Sequence, residues 1–299
     1  MQGKTKAHIA LAAATIFFGL NYSVSKSLMP VFITPLPLVL VRLLGSIGVI
    51  LVVSVFIKAE RIQKADYLRI ALCGFTGVTI NQLFFFEGLS RTTPVETAII
   101  HTSSPALVVL FSMFLLNEKS GFLRYFGIVL GGLGALILVL IGKQVADGTS
   151  HLIGNVLIIV NITSYALYLV LAKPLLAKYA ALTVMKWVFI SGLVFTLPYA
   201  AVKGVNMSFS HYTTEAWAAL LYVVFITTFL AFTLTVYSLK HLSPGIAGYY
   251  IYLQPLIASA IGLTVGQNPF TIEVGIASVF IFTGVYLVNR KPRQLKANA

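Results

Sequence analysis

Ten apolar runs divide this chain almost from end to end, at roughly 7 to 29, 36 to 57, 67 to 90, 93 to 116, 121 to 142, 151 to 173, 180 to 203, 214 to 240, 243 to 266 and 272 to 290. A helix needs about 20 apolar residues to cross a hydrocarbon core about 30 Å thick, and each run is long enough to do so. Hydrophobic residues make up 58% of the chain and charged ones 10%, whereas a soluble domain carries about 25% charge. A chain of this composition has too little polar surface to cover itself in water. The expected architecture is therefore an all-α integral membrane protein of ten transmembrane helices.

The basic balance, 21 Lys and Arg against 8 Asp and Glu, invites a nucleic-acid reading until its distribution is examined. Lys4, Lys6, Lys58, Arg61, Lys64, Arg69, Lys119, Arg124, Lys173, Lys178, Lys240, Arg290, Lys291, Arg293 and Lys296 fall on the side of the N-terminus, but only Lys26, Arg91, Lys143 and Lys203 on the other. That asymmetry is the positive-inside rule, so both termini are expected in the cytoplasm, and no nucleic acid is implied as a partner. The first run is longer than a signal-peptide core and lacks a small-residue cleavage pattern, so it reads as the first helix. Cys73 is the single cysteine and lies mid-helix, which excludes an intrachain disulfide and a thiolate metal cluster.

The chain aligns with itself. At an offset of 150, "GLSRTTPVETAIIHTSSP" falls on "SLKHLSPGIAGYYIYLQP", so Leu89, Pro94 and Pro105 meet Leu239, Pro244 and Pro255. At an offset of 147, Lys26 meets Lys173 and Gly45 meets Gly192. The halves, 1–146 and 147–299, each hold five helices, an odd number, so the second enters the membrane in the opposite sense. Inverted repeats place a substrate site near the midplane where they meet, and one half rocks against the other for alternating access.

Several stretches resemble one family over essentially the whole chain. They are "FFGLNYSVSK", Arg42 in "VLVRLLGSIG", "NQLFFFEGLSRTTP", and "SSPALVVLFSMFLLNEKSGFLRYFGIVLGGLGALIL" with its Glu118 at the helix junction. The chain resembles the EamA-like ten-helix members of the drug/metabolite transporter superfamily. In the second half, "QPLIASAIGLTVGQNPFTIEVGIASVFIFTGVYLV" repeats the last motif, with Gln267 and Asn268 where such repeats usually carry an acid. The resemblance implies a cavity lined mainly by helices 1, 3, 4, 6, 8 and 9, and outward movement of the solute.

Helical rise places the candidate residues in depth. Asn21, Arg42 and His101 each lie about 10 Å inside one surface, with Asn81 and Gln82 somewhat deeper and Glu96 about 3 Å from the edge. Asn21, Arg42, Asn81, Gln82 and His101 thus form an expected polar layer, since polar groups in hydrocarbon face a bundle interior or a wet cavity, and Tyr22 is a further substrate-binding candidate. Asn161, Tyr165, Tyr168, Tyr249, Tyr252 and Gln254 form a deeper aromatic layer, suited to a partly apolar ligand. Tyr249, Tyr250 and Tyr252 do not share one helix face, so at least one belongs to packing or to the interfacial belt.

Arg42 asks for a partner, either Glu96 or Glu87 in a structural ion pair, or an anionic substrate. His101 is either a neutral imidazole bonded to a neighbouring helix or a proton-coupling group, because histidine titrates near neutral pH. Lys26 and Lys173, at helix ends, are expected to snorkel to the headgroups. Pro105 and Pro255 are expected to bend helices 4 and 9 at equivalent depths, and with Arg42 and Glu96 they form the coupling and gating set. Gly127, Gly131, Gly134, Gly262 and Gly266 read as close helix packing.

There is no HExxH, GxSxG or Walker loop in the sequence. Neither a zinc protease nor an intrinsic ATPase is indicated, and no cofactor or metal is expected. The reading is a gradient-driven transporter of a small organic metabolite or drug, with proton or substrate antiport as the coupling to test, in a membrane such as the bacterial inner membrane. A flippase of a lipid-linked substrate, and a non-transporting membrane enzyme or sensor, stand as the alternatives.

Overall fold

The computed structural model describes residues 2–56, 60–115, 148–242 and 272–289, with single residues of 122–134 and 247–257. The expected runs 121–142 and 243–266 fall largely outside the described residues, as do Glu118, Gly131, Pro244, Tyr249, Tyr252, Pro255, Gly262, Gly266, Gln267 and Asn268.

Every described element is helical. They are α1 (Gln2–Leu28), α2 (Pro35–Val55), α3 (Tyr67–Gly74), α4 (Asn81–Arg91), α5 (Pro94–His101), α6 (Ser104–Leu115), α7 (Gly148–Lys178), α8 (Ala181–Lys203), α9 (Thr214–Leu221), α10 (Phe232–His241) and α11 (Ile272–Asn289), besides a short 3₁₀ turn at Lys64–Asp66. Among the described residues, seven spans are long and apolar enough to cross a membrane: Gly3–Leu28, Pro35–Val55, Lys64–Arg91, Glu96–Leu115, His151–Lys178, Ala181–Lys203 and Thr214–His241. The protein is a multi-pass membrane protein.

Two of the spans are not simple α-helices. Between α3 and α4 the segment Phe75–Ile80 is π-helical, and between α9 and α10 the longer segment Tyr222–Ala231 is too. A π turn shifts the hydrogen-bond register by one residue and re-aims the side chains beyond it. The two π segments overlap at the offset of 150 found in the sequence. A third interruption lies in the fourth span, where α5 ends at His101 and α6 begins at Ser104. Pro105 has no N–H to continue the ladder, and the chain passes the gap with tighter bonds, Thr102 N to Ile99 O at 3.0 Å and Ser103 N to Ile100 O at 3.0 Å.

Packing crosses between the halves. The α3–α4 span lies on α7 and α8, while the α9–α10 span lies on α1 and α2. Small residues make these crossings close: a Cβ on Gly45 of α2 would sit 2.6 Å from Val224 Cγ1, and one on Gly192 of α8 would overlap Val78. These glycines are the pair aligned at 147. Close backbone approach matters here because lipid gives helices little hydrophobic reason to associate, leaving contact and hydrogen bonding as the glue.

Candidate functional site

Where α1, α2, α4, α7 and the second π segment converge, they enclose a cavity of about 90 Å³. Pockets that bury a drug-sized ligand hold about 300 to 1,000 Å³, so this one is smaller than a site that holds such a ligand. Asn21 and Tyr22 from α1, Arg42 from α2, Asn81 and Gln82 from α4, and His101 from α5 all line it. Asn161 and Tyr165 from α7 and Gln254 line it as well. The two polar layers expected from depth are therefore one wall, because the crossing of the halves brings α7 and residue 254 to the same level as α1 and α4.

The wall is tied across that crossing. Tyr22 Oη donates to Gln254 Oε1 at 2.6 Å, and Asn161 Nδ2 donates to the carbonyl of Asn81 at 2.7 Å. Ser25 Oγ donates to Asn21 Oδ1 at 2.9 Å. Apolar positions fill the remainder: Phe18, Leu169 and Phe232 among them. Phe18 with Tyr165, and Tyr22 with Leu169, are pairs at the offset of 147, and His101 with Ile251 is a pair at 150. Equivalent positions of the two halves thus face one space, with the polar member of a pair alternating between them.

Tyr168 is not in this wall. Its ring packs over Gly77 of the first π segment, where any Cβ would collide with it, and it is 3% exposed. Three residues from Tyr165, it turns toward the neighbouring span and not the cavity.

Arg42 is bonded differently from the ion pair expected. Its Nε donates to Thr228 Oγ1 at 2.5 Å, and Thr228 passes a bond to the carbonyl of Val223 at 2.7 Å, five residues back in the π segment. The guanidinium carbon lies 4.5 Å from the centroid of the Phe86 ring, a cation–π contact. Both acids proposed as partners are engaged elsewhere. Glu87 pairs with Arg91 at 3.2 Å, and Glu96 Oε2 accepts from Thr92 at 2.6 Å and from Asn155 at 3.1 Å, with His151 Nδ1 at 3.7 Å. Glu96 thus faces α7 and is not among the residues that line the cavity.

His101 bonds within its own span: the Thr97 carbonyl lies 2.9 Å from Nδ1. Since a carbonyl only accepts, Nδ1 carries the proton, and in the neutral ring Nε2 presents a lone pair. The ring stands edge-on to Tyr22 and Phe85, with centroids 5.5 and 5.8 Å away.

Lys26 and Lys173 also depart from expectation. Lys26 Nζ donates to the carbonyls of Leu89, Ser90 and Thr92 at 2.8, 2.9 and 2.9 Å, which are the unpaired carbonyls at the end of α4. Lys173 Nζ does the same for Leu239 and Leu242 at the end of α10, at 2.6 and 3.0 Å. A cation at a helix C-terminus satisfies bare carbonyls and opposes the helix dipole. At the end of the bundle carrying the N-terminus, His8 Nδ1 lies 2.9 Å from Tyr250 Oη and Ser238 Oγ donates to Ala7 O at 2.9 Å.

Sequence reasoning missed Thr227, Thr228 and Thr235, which sit in or beside an apolar run and satisfy their hydroxyls on their own helix. The available signal was threonine recurring within a span. Among the described residues no group of three or more His, Cys, Asp or Glu gathers as a metal site.

The model of the EamA-like transporter family matches the chain at residues 5–140 and again at 152–290. YetK of Bacillus subtilis, an uncharacterized transporter, is 28% identical over 96% of this chain and 88% of its own length. A WAT1-related protein of Arabidopsis thaliana is 24% identical over 95% of this chain and 85% of its own length. A probable terminal-alkyne amino-acid exporter of Streptantibioticus cattleyicolor is 25% identical over 78% of this chain and 76% of its own. A solved crystal structure at 17% identity superposes with a TM-score of 0.66, covering 96% of this chain and 98% of that one, which is a likeness of fold. With both matches covering nearly its whole length, the chain belongs to the EamA-like transporter family.

Proposed function

We propose that this protein is a secondary transporter that moves a small organic metabolite by alternating access, in the outward direction. Its ten helices form two inverted repeats, 1–146 and 147–299, with both termini in the cytoplasm. The observation that carries the reading is the cavity that mixes apolar walls with buried polar side chains, lined by offset-related positions of both halves and too small as it stands for a metabolite. A site of that kind must open to release what it holds. The outward direction draws on the relative that is a probable amino-acid exporter. The fourth span, broken at Thr102 and Ser103, and its counterpart at Pro255 act as the bending elements. Asn21, Tyr22, Asn81, Gln82, His101, Asn161, Tyr165 and Gln254 contact the solute.

Purified protein in liposomes, offered labelled amino acids, nucleosides and organic acids with and without a pH gradient, tests this. Accumulation or exchange of at least one is expected. Movement of none, beside activity on a lipid, would replace the metabolite reading with a flippase. If His101 couples protons, His101→Gln abolishes gradient-driven uptake and spares exchange; unchanged gradient-driven uptake makes the residue structural.

A further inference from the structure

The cavity wall is charged on one side only. Arg42, 3% exposed, spends Nε on Thr228 and the face of its guanidinium on Phe86. Among the described residues no carboxylate pairs with it, and no Asp or Glu lines the cavity. One helical turn before Phe86 on α4 lies Gln82, 2% exposed, whose Nε2 and Oε1 both lack a partner among the described residues. A buried amide with neither end bonded is rare, because each unmade bond leaves the full cost of taking that atom out of water. An unbalanced cation beside it costs more still. The two groups face one cavity and want complementary things. The guanidinium has N–H donors to give to an anion, and the amide offers an NH2 that donates and a carbonyl oxygen that accepts.

We infer that the site selects a small organic anion, a carboxylate carrying a neighbouring hydroxyl, with the carboxylate at Arg42 and Gln82 Nε2 and the hydroxyl donating to Gln82 Oε1. This rests on the transporter reading and names its substrate class. A carboxylate takes parallel bonds from a guanidinium, which lysine does not reproduce. A primary ammonium on the solute finds neutral acceptors in the described wall and a repelling Arg42. Zwitterions therefore follow anions, and cations come last.

Two sets of solutes matched in size test this: lactate, alanine and 1-amino-2-propanol, then phenyllactate, phenylalanine and 1-amino-3-phenyl-2-propanol. Liposomes bearing the protein are preloaded with each unlabelled solute, and counterflow of its labelled form is measured. The hydroxy acid of one set is expected to exceed its amine about tenfold or more. Arg42→Gln is expected to lose that flux by about 10- to 100-fold, the range for one bond to a charged group, with Arg42→Lys retaining part. Zwitterion or amine moved as fast as the hydroxy acid overturns the inference, whatever the variants do, so a misfolded Arg42→Gln does not shelter it. Transport of nucleosides or amino acids from the wider panel without either hydroxy acid overturns it and leaves the transporter reading standing. If no solute of either panel moves, both fall.

Discussion

Removing the phenolic oxygen of Tyr22 leaves Gln254 Oε1 buried with nothing to accept from, a loss of about 1 to 3 kcal/mol. Tyr22→Phe should therefore lower the melting temperature of the detergent-solubilised protein, and Tyr22→Phe with Gln254→Leu should recover part of it; equal melting of Tyr22→Phe and wild type would remove the bond from the wall. Gly192→Val forces a branched side chain into the space held by Val78, and overpacking of this kind costs about 1 to 3 kcal/mol. Reduced yield of folded protein on size-exclusion chromatography is the expected result. Counting residues from the helix ends put Asn21, Arg42 and His101 about 10 Å inside and Asn81 and Gln82 somewhat deeper, and all five line the cavity. It did not find Thr228, whose hydroxyl lies inside an apolar run and is aimed at Arg42 by the π register.

At the level of elements, the two lysines are the clearest case of a role invisible in one dimension. Lys26 and Lys173 align at 147 and look like residues reaching for headgroups, yet each holds the bare carbonyl end of a helix in the other span it packs against. Lys26→Met and Lys173→Met should each destabilise by about 2 kcal/mol, the range for bonds to a charged group, read as a fall in melting temperature in detergent. Lysines that only snorkelled would leave it unchanged. The π segments were beyond the reach of periodicity, because one extra residue in a run of 28 barely alters the apolar pattern while it rotates everything downstream. The gap before Pro105 was legible, since proline has no N–H for the hydrogen-bond ladder and bends or breaks a helix.

For the whole molecule, the loop before α3 and the start of α8 are joined at the end of the bundle carrying the N-terminus. Lys178 and Tyr179 donate to Asp66 at 3.0 and 2.8 Å, and the Ala180 N–H donates to Glu60 Oε2 at 2.8 Å. The Ala180 amide first, and the Thr183 hydroxyl after it, hold the Glu60 carboxyl below its usual 4.5. A depressed acid stabilises the fold above its unfolded value and stops doing so as pH falls through the lowered one. Glu60→Gln should thus be less stable than wild type near neutral pH and match it at acid pH, by a small margin because the group is exposed. Thermal melts across pH 3 to 7 would show it, and a difference that widened toward acid would contradict it. The positive-inside asymmetry predicts that a C-terminal tag in right-side-out vesicles resists added protease, and cleavage of the tag would place that terminus outside.

The membrane character, the spacing of the apolar spans and the offsets at which the chain aligns with itself were determined by the sequence, because each depends only on spacing along one chain and on the cost of polar groups in hydrocarbon. Which polar groups meet was decided by the tertiary structure. The two layers separated in depth became one wall, Tyr168 turned onto Gly77, Glu96 went to Asn155, and Arg42 was left facing a cavity with a hydroxyl and a ring instead of an acid. Those outcomes arise from helices of one half crossing those of the other at glycine contacts, and the rotation and approach of a crossing are set by both partners at once.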